Sequence, residues 1–402
     1  MQGKVKTMRY DANMESTEAI LDEVAADIVT GRAYDFGYPL NMTSTLMGFY
    51  KWLMGSGLCL ASFTNAGDPF DEKACDPKRN TLLFERDVIE QLGPLYGFDK
   101  DELWGIVTFS GTDGNNQGIY FGAKYLKKKT HKDPVIYVSD AAHYSGIRLA
   151  DLQNLDIEII PSDEHGRMIP DALEKALIKG RPALMIYAIG TTFKGSVDDM
   201  DSLNAVLADH PDIMVYRHLD AALFGGYLPY TGYRDVVNRK LYPFDSISIS
   251  GHKFFGIDEP AGFFLTTMDI KNNQNPYGIR YLNCNMPMIH CSRSAITPLK
   301  FWWILRNTCR EEFIRQTGVM LEMAVWLKER LDDIKWPAWL EPMSNIVYFK
   351  GVPEALAEKY NLASDYDERL GGDLSHIVVM QHVTEEQLQR FLEELMTAKE
   401  NR

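Results

Sequence analysis

The chain has 402 residues, of which 45% are hydrophobic and 24% are charged, and its formal net charge is -14. This length and composition are typical of a globular protein with one large domain and a smaller one, and they exclude a disordered or fibrous class. The acidic balance argues against nucleic acid as a partner, because phosphate binding needs a basic surface.

The five cysteines are odd in number and scattered, and they lack the paired spacing of a zinc site. We therefore expect reduced thiols, no metal site and a cytoplasmic protein. The N-terminus has no apolar signal core. The most apolar early stretch, residues 46–63, contains Lys51 and three glycines, so it predicts a buried helix rather than a membrane span.

The first part of the chain predicts helices separated by loops. Ser16 precedes apolar residues at helical spacing, which predicts a capped helix. Gly37, Tyr38 and Pro39 end this pattern, and a loop follows that extends to about residue 70. Residues 82–96 return to helical spacing.

From Gly105 onward, predicted strands, turns and helices alternate. Several of the strands are almost continuously apolar, which is typical of strands buried on both faces of a mostly parallel sheet. The predicted strands cover residues 134–139, 157–160, 183–189, 213–219, 246–250 and 262–266, with helices at 114–127, 169–178 and 200–208. This alternation indicates an α/β protein whose sheet lies between helices.

The C-terminal part predicts a small α+β domain. A long helix over residues 299–331 leads to strands at 345–349 and 376–380, and Thr384 with Gln387 predicts a capping box for a final helix. We expect an N-terminal helical segment over residues 1–70, a large domain over 71–297 and a small domain over 298–402.

A lysine follows the predicted strand 246–250 and a glycine turn, in the order Ser250-Gly251-His252-Lys253. Lys253 is a candidate for a Schiff base with a cofactor carbonyl. A surface lysine after an edge strand is the alternative interpretation.

Other strand ends carry the further groups that pyridoxal phosphate needs. Asp220 ends a predicted buried strand and could keep the ring nitrogen protonated at the edge where open α/β sheets bind ligands. His143 could lie flat against the ring, and Thr192 and Asp198 belong to another strand-end loop. Taken alone, each residue also fits a turn cap or an ordinary structural role.

The candidate phosphate cradle is a glycine-rich turn that includes Gly111 and Thr112 and precedes a helix. Helix N-termini favour anions through free N–H groups and the helix dipole. Ser250 and His252 could add donors. A plain helix cap is the alternative.

Together these motifs resemble the group II pyridoxal-phosphate-dependent amino acid decarboxylases, and the likeness covers roughly residues 35–398. Bacterial histidine decarboxylases and plant serine decarboxylases are the most similar members. The motifs are Gly-Thr-Asp-Gly-Asn at 111–115, His-Tyr-Ser at 143–145, Gly-Thr-Thr at 190–192, His-Leu-Asp-Ala-Ala at 218–222 and Ser-Gly-His-Lys at 250–253.

The resemblance implies the aspartate-aminotransferase-like fold type I, with a mostly parallel seven-stranded sheet. It also implies a homodimer, or a dimer of dimers, with active sites at the subunit interface and an amino acid as substrate. Lys253 would hold the cofactor covalently, Asp220 would face the ring nitrogen and His143 would stack on the ring. The remaining implied cofactor contacts are Gly111, Thr112, Thr192, Ala222, Ser250 and His252.

Tyr281 is implied as a catalytic residue on a mobile segment, with Tyr38, Asn65, Ser292 and Arg293 as substrate residues. The chain departs from the family pattern nearby. Met286 and Met288 stand where an acidic and a hydroxyl residue are usual, and residues 294–296 read Ser-Ala-Ile instead of Asn-Gly-His. These changes predict a drier pocket or an altered interface loop.

The implied reaction is decarboxylation of an L-amino acid to its amine and CO2, with histidine to histamine as the first hypothesis. Serine or another small or apolar amino acid is an alternative substrate. Oxidative decarboxylation–deamination to an aldehyde, or an aminotransferase-like reaction, is an alternative chemistry. A catalytically silent dimer that acts as a binding or regulatory subunit is the alternative from a different class.

Overall fold

The computed structural model describes residues 16–43, 45–274, 277–280 and 284–400. Its helices are α1 (Thr17–Gly31), α2 (Met47–Gly55), α3 (Leu82–Leu92), α4 (Gly111–Thr130), α5 (Ser145–Leu152), α6 (Pro170–Ala176), α7 (Met200–Ala208), α8 (Phe224–Tyr227), α9 (Met268–Asn272), α10 (Thr297–Asn307), α11 (Arg310–Asp333), α12 (Glu354–Lys359) and α13 (Glu385–Glu400). Its strands are β1 (Thr64–Ala66), β2 (Leu103–Thr108), β3 (Val135–Ser139), β4 (Asp156–Ile160), β5 (Ala183–Ala188), β6 (Val215–Asp220), β7 (Ser246–Ser250), β8 (Gly262–Thr267), β9 (Tyr277–Ile279), β10 (Cys284–Met286), β11 (Ser292–Ser294), β12 (Ala338–Leu340), β13 (Ile346–Lys350), β14 (Ala363–Asp367) and β15 (Gly372–Val378).

Seven strands form the central sheet in the order β2-β8-β7-β6-β5-β3-β4. The five strands from β7 to β4 are parallel to one another. Strand β8 is antiparallel to both of its neighbours, β7 and β2. The predicted mostly parallel, seven-stranded sheet is therefore confirmed. Because the strands are parallel, the carboxyl ends of β3, β5, β6 and β7 meet at one edge.

Both faces of this sheet are buried, which explains the apolar strands. Val135 and Tyr137 of β3 belong to one hydrophobic cluster, and Ile136 and Val138 belong to a second. Successive residues of a strand point to opposite faces, so the two clusters lie on the two sides of the sheet. An alternating pattern would be expected only if one face were exposed.

Helix α4 lies unusually close to the sheet because small residues face each other there. The serines of β7 are buried, and Ser248 donates a hydrogen bond to the carbonyl of Gly111 over 3.0 Å. Built on Gly114, a Cβ would lie 2.1 Å from the hydroxyl of Ser248. The alternating Ser and Ile of β7 thus separate a polar face under α4 from an apolar face on the other side.

A second, antiparallel sheet in the order β12-β13-β15-β14 forms the C-terminal part. Helix α11 packs against this sheet and against α13, and α13 contacts the sheet through the rings of Phe391 and Phe349. The predicted capping box is confirmed, since Thr384 and Gln387 exchange hydrogen bonds of 2.9 Å and 3.3 Å. The expected domain boundaries after residues 70 and 297 remain predictions.

One helix prediction is wrong, and another is confirmed only in part. The helix expected over residues 299–331 is two helices, α10 and α11, because Thr308 and Cys309 adopt extended backbone angles between them. The apolar stretch at residues 46–63 forms the short helix α2, which buries Phe49 and Leu53 as expected but exposes Met47 and Met54. In the described part of the chain, no helix combines the length and the apolarity needed to cross a membrane.

Candidate active site

Lys253 lies in the turn that follows β7, at the carboxyl edge of the central sheet. The next carbonyl, that of Phe254, accepts hydrogen bonds from Asn41 and Gln381, each over 2.9 Å. This holds the turn between the N-terminal and C-terminal parts of the chain. Burial lowers the pKa of Lys253, and the nearby Asp220 carboxylate opposes part of that effect. A lowered pKa favours the neutral amine, which is the nucleophilic form.

Asp220 is the last residue of β6, beside β7 in the sheet. Its carboxylate accepts a hydrogen bond of 2.8 Å from the side-chain amide of Asn115. The same carboxylate is close enough to influence the pKa values of both Lys253 and His143. The structure therefore brings these three predicted residues together.

His143 lies in the turn after β3, half-buried beside the exposed ring of Tyr144. The backbone N–H of Ser145 donates to Nδ1 of His143 over 3.2 Å. Burial lowers the pKa of His143; the Asp220 carboxylate raises it in part, and Lys253 lowers it further. We therefore expect a neutral imidazole at pH 7, suited to lie against a flat ring.

The residues of the predicted phosphate cradle lie at the N-terminus of α4, beside the strand ends. Ser110 caps the helix by accepting from the N–H of Asp113 over 3.1 Å. A Cβ built on Gly111 would lie 2.5 Å from the hydroxyl of Ser250 and 3.3 Å from the Cβ of Ala222. Glycine is thus required for this close approach, and it brings the free N–H groups of the first turn next to a hydroxyl.

Thr112 is exposed on the same first turn, and His252 follows Ser250. The Nδ1 atom of His252 lies 3.0 Å from the carbonyl of Ala261. Burial lowers the pKa of His252, which the Ala261 carbonyl partly offsets.

These groups fit pyridoxal phosphate. A primary amine suits its aldehyde, a carboxylate suits its pyridine nitrogen, and an imidazole suits its ring face. The close approach of Gly111 to Ser250 leaves an anion cradle at a helix N-terminus, which suits its phosphate.

Thr192 is exposed in the loop after β5, and the two sides of this loop are anchored. The fully buried carboxylate of Asp198 accepts from the N–H groups of Met168 and Ala188 over 2.8 Å and 2.7 Å. Burial raises the pKa of Asp198 to about 6. On the other side, the ring of Phe193 stacks on His376 with centroids 4.6 Å apart. Asp198, a sequence candidate for function, therefore supports the loop from inside.

The predicted substrate residues fall into two groups. Asn65 and Arg293 pair across β1 and β11 and are buried, and both bind Glu85, over 2.9 Å in each case. Tyr38 and Ser292 are exposed. Tyr281 lies outside the described residues. A role in substrate binding stays a prediction for each of them.

The methionines that depart from the family pattern are packed inside the protein. Met286 and Met288 are buried in the hydrophobic cluster that contains Leu82 and Trp104. Just beyond them, Nε2 of His290 lies 3.0 Å from the Asp113 carboxylate at the start of α4. The methionines that depart from the family pattern thus lie in a segment that packs against α4, the helix of the predicted phosphate cradle.

Asn115 and His218 belong to the family motifs, but no role is predicted for them from the sequence. Asn115 is the hydrogen-bond donor to Asp220, and its carbonyl oxygen lies 3.0 Å from Nε2 of the fully buried His218. Burial lowers the pKa of His218 to about 4, despite the nearby Asp220 carboxylate. Their nearness to Gly111 and Asp220 in the sequence was the available signal.

Comparison with known proteins identifies the family. The family described as "Pyridoxal-dependent decarboxylase conserved domain" matches residues 121–349, more than half of the chain. Serine decarboxylase 1 of Oryza sativa subsp. japonica is 30% identical over 396 residues, which cover 96% of this chain and 78% of that one. The histidine decarboxylase of Mesorhizobium japonicum is 30% identical over 381 residues, covering 93% and 96% of the two chains.

Among solved structures, a variant of L-methionine decarboxylase from Streptomyces sp. 590, complexed with L-methionine methyl ester, superposes with a TM-score of 0.81. It is 20% identical, and the match covers 96% of each chain, so the predicted fold type I is confirmed. The family match also confirms the predicted cofactor, pyridoxal phosphate, and the predicted class of reaction. The chain belongs to the pyridoxal-dependent decarboxylase family and is an amino acid carboxy-lyase that uses pyridoxal phosphate.

Proposed function

We propose that the substrate is L-histidine and that the products are histamine and CO2. The observation that carries the active site is the convergence of Lys253, Asp220 and His143 at the ends of β7, β6 and β3. The choice of histidine is supported by relatives named histidine decarboxylase, such as that of Mesorhizobium japonicum. The decarboxylases of serine at 30% identity support serine as the second candidate, with ethanolamine as its amine.

When bound, pyridoxal phosphate supplies the electron sink that accepts the pair released as the bond between Cα and the carboxylate breaks. Lys253 would hold the cofactor, and burial, which lowers its pKa, favours the neutral amine that exchange with the substrate amine requires. Asp220 stabilises the protonated ring nitrogen through its negative charge. His143 restricts the ring from one face.

The first turn of α4 would hold the phosphate through Gly111 and Thr112, together with Ser250 and His252. Ala222 packs beside Gly111. Thr192 contributes a further contact to the cofactor from the anchored loop after β5. The close approach of Gly111 to Ser250 supports this assignment, since a Cβ at position 111 would lie 2.5 Å from the Ser250 hydroxyl. A helix N-terminus stabilises an anion through its free N–H groups and its dipole.

Tyr281 returns a proton to Cα after CO2 leaves, in keeping with the family resemblance. Tyr38 and Ser292 contact the substrate side chain from the exposed rim. Asn65 and Arg293 support the rim from below, since Glu85 binds both of them and also accepts from the N–H of Val107 over 3.0 Å.

We also propose a homodimer in the cytoplasm. Helix α1 has no buried residue within its described range Thr17–Gly31. Its apolar side chains are therefore at least partly exposed, and Leu21 and Val29 are 61% and 63% exposed. A contiguous patch of exposed apolar side chains is typical of a protein–protein interface. A second copy of the chain is the partner that the family resemblance implies. The five cysteines are all free, which suits a reducing compartment.

The substrate is tested by incubating the purified protein and cofactor with each of the twenty L-amino acids. We expect histidine to yield histamine and CO2 in equal amounts, without aldehyde or ammonia. Ethanolamine from serine would replace the first candidate with the second, and aldehyde with ammonia would indicate the oxidative reaction. The variant Lys253→Ala should show no turnover, and full turnover by it would refute the assigned site.

The assembly is tested by light scattering after size-exclusion chromatography. Leu21→Glu combined with Val29→Glu should convert the dimer to a monomer. Tyr366→Glu is the matched control, because Tyr366 is 67% exposed but lies on β14. A dimer that survives the double change in α1 would contradict the proposed interface.

A further inference from the structure

The buried side-chain amide of Asn115 connects two of the predicted active-site residues, Asp220 and His143. Asn115, in the first turns of α4, is 2% exposed. Its Nδ2 lies 2.8 Å from the Asp220 carboxylate and 3.3 Å from the hydroxyl of Ser145. The hydroxyl of Ser145 is in turn 2.8 Å from Nδ1 of His143. The amide therefore reaches Asp220 directly and His143 through one hydroxyl.

The direction of each hydrogen bond on the His143 side follows from its neighbours. Nδ1 of His143 accepts from the N–H of Ser145 over 3.2 Å, so this nitrogen carries no proton. The hydroxyl of Ser145 then donates to the same nitrogen, and its oxygen accepts from Asn115. In a neutral imidazole, one nitrogen is the donor and the other the acceptor. The proton of His143 is consequently on Nε2.

The amide itself is oriented from the other side. Its NH2 group must face the Asp220 carboxylate, which only accepts. Its oxygen then faces Nε2 of His218 at 3.0 Å, so that nitrogen donates. Nδ1 of His218 accepts from the hydroxyl of Ser246 at 2.8 Å. His218 and Ser246 are fully buried, and each of these hydrogen bonds satisfies both of its partners.

We propose that Asn115 is a positioning residue that orients Asp220 and fixes the proton of His143 on Nε2. The proposal rests on the roles proposed above for Asp220 and His143. It makes the Nε2–H group of His143 the donor that this ring offers to the site. A carboxylate at position 115 would reverse both effects, because it would repel Asp220 and donate no hydrogen bond to Ser145.

The test compares Asn115→Asp with Asn116→Asp, the same change one position along α4. The oxygen of Asn116 accepts from Gln153 over 2.8 Å, and an aspartate would still do so. The first readout is the dissociation constant of pyridoxal phosphate, measured by titrating the apoprotein. Asn115→Asp removes the hydrogen bond that orients the charged Asp220, so we expect it to bind pyridoxal phosphate roughly 10- to 100-fold more weakly. The dissociation constant of Asn116→Asp should stay within about twofold of the wild-type value.

The second readout is the position of the His143 proton, from 15N spectra of histidine-labelled protein with His143→Gln for assignment. Wild type should show a protonated Nε2, and Asn115→Asp should show a mixture of the two neutral forms. Neither readout requires turnover, so failure of the proposed substrate or reaction would not alter them.

Ser145→Ala provides a milder variant if Asn115→Asp fails to fold. It removes only the branch to His143, so it should lower kcat while pyridoxal phosphate affinity and the KM of the amino acid stay within about twofold. The proposal is overturned if Asn115→Asp binds the cofactor as wild type does. It is equally overturned if wild-type His143 carries its proton on Nδ1, or if Ser145→Ala leaves kcat unchanged.

Discussion

The substitution Gly118→Ala should disturb the candidate active site by displacing the buried side chain of His218. This glycine lies where α4 crosses β6, and a Cβ there would be 2.4 Å from both Cε1 and Nδ1 of His218. His218 is fully buried and bonded at both ring nitrogens, to Ser246 and Asn115. The imidazole therefore has no free direction in which to move, and Gly118→Ala should push it away from Asn115.

The expected change in stability combines one stabilising effect and two destabilising ones. Alanine stabilises a helix over glycine by about 1 kcal/mol. Overpacking a core costs about 1–3 kcal/mol. Breaking the bonds of buried His218 adds about 1–3 kcal/mol, because its polar atoms would be left without partners. We expect a net loss of about 3 kcal/mol from these ranges.

Gly318→Ala is the matched control. Gly318 lies within α11, and no described atom outside its own helix lies within 4 Å of a Cβ built there. Only the helix-propensity effect operates at that site, so stability should rise by about 0.5–1 kcal/mol.

Thermal unfolding of the two variants should therefore shift in opposite directions. Gly118→Ala should also bind pyridoxal phosphate more weakly, since Asn115 would lose the partner that orients its amide toward Asp220. If Gly118→Ala melted above wild type by the same increment as Gly318→Ala, the close packing of α4 on β6 would be refuted.

Three further predictions concern buried charges and bonds. Burial raises the pKa of Asp198 from 3.8 to about 6 in the folded protein. Between about pH 4 and pH 6 the folded protein therefore keeps a proton that the unfolded chain releases. The contribution of Asp198 to stability consequently falls as the pH rises through this window. Urea unfolding across that window should show Asp198→Asn gaining about 3 kcal/mol relative to wild type, and parallel curves would contradict it. Arg293→Met should cost about 3–5 kcal/mol, because it leaves the Glu85 carboxylate buried without its cation. Adding Glu85→Gln should restore part of that loss, and an equal loss in both variants would count against the ion pair. His376→Phe keeps the stack on Phe193 but loses the contacts of both ring nitrogens, with the carbonyl of Phe193 at 2.8 Å and that of Gly37 at 3.0 Å. We expect a loss of about 2 kcal/mol, and a melting temperature equal to wild type would be evidence against a stabilising role for these contacts.

Features that depend on local periodicity or on chain order were predicted from the sequence. Continuous apolar strands alternating with helices determined the mostly parallel sheet. The parallel direction then placed Lys253, Asp220 and His143 at one edge, because each follows a strand and parallel strands share their carboxyl ends. Glycine at position 111, before a helix, indicated the anion cradle for a similar local reason.

Features that depend on side chains far apart in the chain appeared only in the tertiary structure. Periodicity did not predict the break between α10 and α11, since both helices keep an apolar face and only two residues differ in backbone angle. Asn65 and Arg293 were assigned to the substrate from motifs, whereas their shared bond with buried Glu85 depends on how β1, β11 and α3 come together.

The amide of Asn115 shows the same limit most clearly. Its bonds reach Asp220 and His218, more than a hundred positions along the chain. No spacing in the sequence encodes which nitrogen of His143 carries a proton, since that depends on donors and acceptors supplied by α4, α5, β6 and β7 together. The sequence by itself determined the cofactor and predicted the edge of the sheet where it would bind. Only the packing of α4 on the sheet decided how the polar side chains at that edge are oriented.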